Sequence, residues 1–342
     1  MQSEGKPRFL QNHSKEVKGV AFSPKDRHLF CSGGNDGKIN IYNAHDASVH
    51  NLLLSFKLAS PNTGRHITGI RFTPDGQKIL ATAASRRLAV LDVERGNQIQ
   101  CYENCAYQGR ERIALACDPT NPNLAACNCS NGRSVALLDT RMPTVREFLF
   151  DLHTSTIRDI TFLNHSWPFV KSDGSGLVSL SHEGVCKITT LQGETLHTFS
   201  VGHNANTIAA TPEDFGSMSN NGFKSHILIG GDSMSCYTPE NGPHEKHSKL
   251  YSTNPSLMWK LKYTTNGCFL YAACEGGKVK RYRRYPNEHK YIGDVIMHKA
   301  DVYDLDISPY DEYLVTASKD CTVGVLNLGA PNRGWSSYFE LT

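Results

Sequence analysis

Catalysis needs reactive side chains at workable spacings, and this chain offers few such sets. No G-x-S-x-G, Walker loop or H-E-x-x-H occurs. The spacing assembles no nucleophile–base pair, so an enzyme is not expected. Cys127 and Cys129 form a C-x-C, with Cys117 ten residues upstream. A zinc site asks instead for C-x-x-C or paired Cys/His spacing. On a strand, Cys127 and Cys129 share one face and pack as small apolar residues. His244 and His247 sit in a polar stretch and are not read as ligands either. Neither a metal nor a cofactor is expected. Gly33-Gly34 and Gly230-Gly231 fall at strand–turn junctions, where permissive backbone explains them.

A second kind of chemistry is phosphate contact. The segment 278–290, KVKRYRRYPNEHK, carries six basic residues and one acid, with Tyr282 and Tyr285 interleaved. Lys278, Lys280, Arg281, Arg283 and Arg284 beside tyrosines suit phosphate contact plus base stacking. The competing reading, which is favoured, is an outer edge strand protected by its charge.

The elements that would hold such residues follow from composition and repeats. The chain has 342 residues, 39% apolar and 20% charged, which is enough for a sizeable core and excludes wholesale disorder. With 36 Lys+Arg against 33 Asp+Glu, the net charge of +3 is too balanced for binding nucleic acid by bulk charge. Eleven scattered cysteines read as free, mostly buried thiols in a reducing compartment, cytoplasmic or nuclear. MQSEGKPRFL has no apolar signal region, and no run of residues could span a membrane.

Three segments repeat one pattern: 17–43, 67–92 and 302–327. Each has an alternating strand, an apolar-Ser/Thr-Pro turn, a strand of small residues, a polar turn and a third strand. The residues before the first turn, or their equivalents, are Phe22, Phe72, Cys117, Phe162, Ala210, Tyr263 and Ile307. Their spacings are 50, 45, 45, 48, 53 and 44. Seven units of about 45 residues fit radial repetition of small sheets. His13, His153 and His298 each stand nine residues before such an anchor.

The pattern resembles the WD-repeat β-propeller family. The resemblance implies an all-β fold: one seven-bladed propeller over residues 1–342, with four-stranded antiparallel blades. It also implies that an N-terminal strand, RFLQ (8–11), closes the last blade. Family members link a His and an Asp with Ser/Thr and Trp in a buried network. Here that set would be His13, Ser32, Asp36 and Tyr42 in the first unit. In the last it would be His298, Thr316 and Asp320, with Leu326 replacing the aromatic. No unit keeps the signature Trp; Ser85 replaces the Asp in the second, and the fifth and sixth lack the His. The stretches 211–225 and 239–250 are expected to be mobile surface loops. The tail 329–342 is extra, with Trp335, Tyr338 and Phe339 packing on a blade. The fit of the repeats to both ends is compatible with a whole protein or with one domain of a longer one.

Partners of the family often dock on the top face, around the central channel. The rim positions are the residue four before each anchor and the residue before the turn Asp. The first set is Lys18, Thr68, Ile113, Arg158, Asn206, Trp259 and Tyr303. The second includes Asn35, Ala84, Asn131, Glu275 and Lys319. Trp259 and Tyr303 beside Lys18 and Lys319 would anchor a peptide with an apolar residue and an acidic or phosphorylated neighbour. Alternatively, Trp259 alternates with Leu261 and Tyr263 and belongs to the core. Leu138, Asp139 and Arg141 resemble the Trp-Asp-x-Arg box of propellers that act as substrate receptors of cullin ubiquitin ligases. The leading expectation is a non-enzymatic scaffold for a protein or peptide, monomeric within a larger complex. A ligase substrate receptor and an RNA-binding propeller are the alternatives.

Overall fold

A computed structural model describes residues 5–45, 51–58, 65–108, 113–129, 131–164, 167, 170, 175–212, 225–238, 248–250, 256–285 and 288–329. Seven antiparallel sheets of four strands each stand in a ring. We number the blades in chain order and letter their strands a to d from the channel outward. The a strands are Val17–Phe22, Ile67–Phe72, Leu115–Cys117, Ile157–Leu163, Ala205–Ala210, Met258–Tyr263 and Val302–Ile307. Each touches the a strands of both neighbouring blades, with blade seven against blade one. All seven anchors end an a strand or stand one residue before its end.

The repeat is a propeller because its b strands are apolar on both faces. In Tyr313–Ser318 of blade seven, Val315 and Ala317 pack with Val20, Phe22 and Phe30 of blade one. Leu314, the neighbour preceding Val315, packs with Tyr271, Ala273 and Val279 of blade six. Period-two alternation therefore sends alternate residues to different neighbours. Seven such clusters, one for each blade interface, make up the described core. The Ser/Thr before each turn proline acts as a cap. Ser308 Oγ accepts from the backbone N–H of Glu312 and Tyr313, each at 3.0 Å, and Thr73 Oγ accepts from Lys78 at 3.1 Å.

The ring closes with Arg8–Leu10 as the fourth strand of blade seven, its partners being Arg8↔Val325, Phe9↔Gly324 and Leu10↔Val323. Phe9 lies edge-on over His298, with centroids 4.9 Å apart. Gly324 is needed there. A Cβ on it would stand 2.4 Å from Thr316 Oγ1 and 2.8 Å from His298 Nε2.

Two expectations are corrected. The basic segment is not an outer edge strand: Lys278–Arg284 is strand c of blade six, hydrogen-bonded on both sides, and His289–Met297 is the edge. Gly33 and Gly231 have no positive φ. They are small for clearance, since a Cβ would lie 2.5 Å from Ile67 Cγ2 at Gly33 and 2.0 Å from the Asn204 carbonyl at Gly231. Most of the two long loops (213–224 and 239–247, with His244 and His247) and the tail 330–342 lie outside the described residues.

Candidate functional site

The rim positions share a local geometry. In six blades the a strand carries a register shift near its start: Val17/Gly19, Ile67/Gly69, Ile157/Asp159, Ala205/Thr207, Met258/Lys260 and Val302/Asp304. The residue inside each shift is Lys18, Thr68, Arg158, Asn206, Trp259 or Tyr303. A bulge leaves one residue out of the ladder and re-aims its side chain. It also breaks the alternation that would have put Trp259 with Leu261 and Tyr263. Met258, not Trp259, joins those two in the core, and Trp259 is half-buried.

The structure brings five bulged residues together. Lys18, Arg158, Asn206, Trp259 and Tyr303, with Asp301 and Lys319 of blade seven, enclose a cavity of about 280 Å³. It lies where the a strands begin, at one mouth of the channel. Trp259 meets Tyr303 edge to face, with centroids 5.8 Å apart. Lys18 Nζ stands 3.9 Å from the centre of the Tyr303 ring and 2.9 Å from Glu16 Oε2. Asn206 donates to the Met258 carbonyl at 3.2 Å. Lys319 is exposed, 3.7 Å from Asp301. The other rim positions do not join them. Thr68 is buried against Thr82 at 3.1 Å, and Ile113 is buried in the core between blades two and three. Asn35 does not line the cavity; its side chain donates to Glu16 Oε2 at 3.1 Å.

Below the mouth, the channel wall carries charge that the rim offsets do not point to. Arg71 of blade two reaches Asp304 of blade seven at 3.0 Å, passing blade one. Lys260 of blade six reaches Asp159 of blade four at 2.8 Å, passing blade five. The blades passed over contribute backbone donors, Ile208 N to Asp159 at 3.0 Å and Val20 N to Asp304 at 3.4 Å. Gly19 leaves room beside Asp304, where a Cβ would stand 3.5 Å from Oδ2. Asp306 takes Lys262 at 3.0 Å and Phe22 N at 2.9 Å. The available signal is charge at one or three residues before an anchor, in strands that are otherwise apolar.

The buried networks are wired like a catalytic triad but are closed to substrate. His13 Nδ1 donates to Asp36 at 3.0 Å, and Ser32 Oγ donates to His13 Nε2 at 2.7 Å. Asn40 joins His13 at 3.2 Å to the Tyr42 hydroxyl at 3.0 Å. Ser32 is wholly buried, so its hydroxyl can meet no substrate. In blade seven His298 meets Thr316 at 2.7 Å and Asp320 at 3.1 Å, with Thr322 as a further member. His153 bonds Ser179 at 2.8 Å. In the fifth unit a histidine at a different offset, His203, bonds Ser235 at 3.0 Å.

Of the basic residues, Lys280 and Arg284 are buried, while Lys278, Arg281 and Arg283 are half-buried. Arg281 and Arg283 lie on the strand face opposite Lys278, Lys280 and Arg284, so the run is divided between two faces. Asp139 and Arg141 form a forked pair at 2.9 and 2.6 Å. That hydrogen bond holds the Asp139 carboxyl down at about 2. Asp139 ends strand c of blade three, Val135–Asp139, and Arg141 lies just beyond it, at the end of the ring opposite the cavity. Cys127 and Cys129 both pack in the core between blades two and three.

A model of the family described as "WD domain, G-beta repeat" matches residues 5–43 and 290–326, the two regions that meet where the ring closes. The chain is a WD-repeat β-propeller. Over 184 residues, 53% of its length, this WD-repeat propeller is 26% identical to the pre-mRNA-processing factor 17 of Saccharomyces cerevisiae. Over 182 residues it is 25% identical to the WD repeat-containing protein 55 of Arabidopsis thaliana. The matches span 36% and 47% of those two proteins. No helix among the described residues is long and apolar enough to cross a membrane.

The propeller's histidines set a pH dependence. Burial pushes His153 down to about 4 and His289 to about 3, from an ordinary 6.5, and lowers His298. The unfolded chain then binds protons first as pH falls, so this stability is complete above about pH 6.5 and is lost progressively toward pH 4 and below. Hydrogen bonds hold Asp36 and Asp320 below their usual value despite burial, which adds a loss of the same sign at still lower pH. Urea midpoints should hold steady from pH 8 to 7 and fall between pH 6 and 4, with a shallower fall for His153→Asn. A midpoint flat to pH 4 would contradict this.

Proposed function

We propose that this WD-repeat propeller is a non-enzymatic docking platform that takes a peptide segment of a protein partner in the cavity at its channel mouth. The observation that supports this is the Trp259–Tyr303 pair, set beside Lys18, Arg158 and Lys319 in one cavity built largely of bulged residues. The mechanism is pre-organisation: the blades hold rigid aromatic anchors in place before binding, so little ordering entropy is lost. The pre-mRNA-processing relative supports a nuclear complex as the setting. A ligase-receptor role draws less support, because the Arg141 guanidinium is tied to Asp139. RNA binding through 278–290 draws less as well, because the segment's charge is divided and partly buried.

Trp259→Ala and Tyr303→Ala should each weaken partner capture by at least about 30-fold, the cost of losing an aromatic hot spot. Both should leave the far-UV spectrum and the cooperativity of melting intact. Affinity purification with mass spectrometry, wild type against the double variant, gives the comparison. Capture retained by both variants would move the site elsewhere.

A further inference from the structure

The charge this cavity accepts can be read from what already occupies its aromatic surface, given the docking reading above. A ring face attracts cations, so an open Trp–Tyr pair would suit lysine, methylated lysine or arginine. Here the face of Tyr303 is taken. Lys18 Nζ stands 3.9 Å above it, and Lys18 is only 6% exposed. Glu16 fixes that ammonium at 2.9 Å. Asn35 fixes Glu16 in turn, donating to its carboxylate at 3.1 Å and, through its backbone N–H, to its carbonyl at 2.8 Å. Trp259 completes the row, edge-on to Tyr303. Asn35, Glu16, Lys18, Tyr303 and Trp259 thus run in contact from blade one through blade seven to blade six.

A ligand cation entering this row would have to pull Lys18 off both the ring and Glu16. An anion faces no such obstacle. Arg158 and Lys319 also line the cavity, with Lys319 3.7 Å from Asp301, the one carboxylate among the described lining residues. We propose that Lys18 is a built-in cation that closes the aromatic pair to positively charged residues and selects peptides carrying a carboxylate or phosphorylated side chain beside an apolar one. Lys18 is then a specificity-determining residue, with Glu16 and Asn35 as its positioning residues.

Four oriented peptide libraries test this, each with degenerate flanks and one fixed central residue: Glu, phosphoserine, Lys or trimethyl-lysine. The wild-type chain should retain the Glu and phosphoserine libraries over the other two by at least about tenfold. Lys18→Met keeps the aliphatic stem but frees the ring face, and it should shift the trimethyl-lysine to Glu ratio by about tenfold toward trimethyl-lysine. Lys18→Arg should keep the wild-type order and serves as the comparison if Lys18→Met does not fold. Wild type preferring the Lys or trimethyl-lysine library would overturn the proposal while leaving the docking reading intact. So would an unchanged ratio in a folded Lys18→Met protein. Retention of no library by the wild type would overturn the docking reading itself. Displacement of the phosphoserine library by oligouridylate, with steep salt dependence, would assign the anion site to nucleic acid and overturn the peptide proposal.

Discussion

Asp304→Ala should lower unfolding free energy by about 3–5 kcal/mol, the cost of stranding one member of a buried ion pair. The side chain of Asp304 is 1% exposed and that of Arg71 22% exposed, so little water reaches the pair. The carboxylate also accepts from Val20 N and so ties blades seven, one and two at a single point. Its loss leaves a guanidinium facing the channel with two neutral partners, the backbone carbonyls of Ile70 and Val20 at 2.7 and 3.2 Å. Urea denaturation of the purified variant reads the effect. Asp304→Asn should fall between it and wild type, because an amide oxygen can still accept from Arg71. An Asp304→Ala midpoint within error of wild type would mean that the charged wall contributes nothing to holding the ring.

Deleting residues 1–11 should produce a comparable or larger loss, roughly 4–6 kcal/mol from the ladder bonds of strand 8–10 and the packing of Leu10. Leu10 packs against the blade one and blade seven core, and Phe9 covers His298. The deletion also exposes the edge of Val323–Asn327, an invitation to pair with another chain. The truncated protein should melt earlier and scatter light in proportion to its concentration. A synthetic peptide covering residues 5–12 should reverse both changes. A truncated chain that stays monodisperse and melts with the full-length one would show that closure of the ring is dispensable.

How far such behaviour is legible in the sequence depends on what each position is constrained by. The seven anchors are readable because a turn cap and a flanking apolar strand must recur wherever a blade is built. The closing strand is readable because a ring of sheets leaves an edge that something must cover. Trp259 is ambiguous in the sequence for a physical reason: the bulge that turns it toward the mouth leaves no mark on composition, and strict alternation places it in the core. Thr68 and Ile113 show the converse, since they share the rim offset yet are buried where blades two and three meet. Asn35 stands at a rim offset and serves instead to hold Glu16. The segment 278–290 looks like an exposed charge run because its basic residues are adjacent in sequence. A strand places neighbours on opposite faces, and this one is paired on both sides. The pairs Arg71–Asp304 and Lys260–Asp159 join residues that sequence spacing does not connect, and only ring geometry brings them within 3 Å.

The pairing of Arg8 with Val325 also sets an order of events during synthesis. Of the propeller's described strands, Arg8–Leu10 is made first and its partner Val323–Asn327 last. At about 5–20 residues per second, roughly 15–60 s pass before the two can meet. Until then blade one has no seventh neighbour, and the apolar flank formed by Val20, Phe22 and Phe30 lies open. Ribosome stalling just before Val323–Asn327 should therefore cost more soluble product than stalling within blade one.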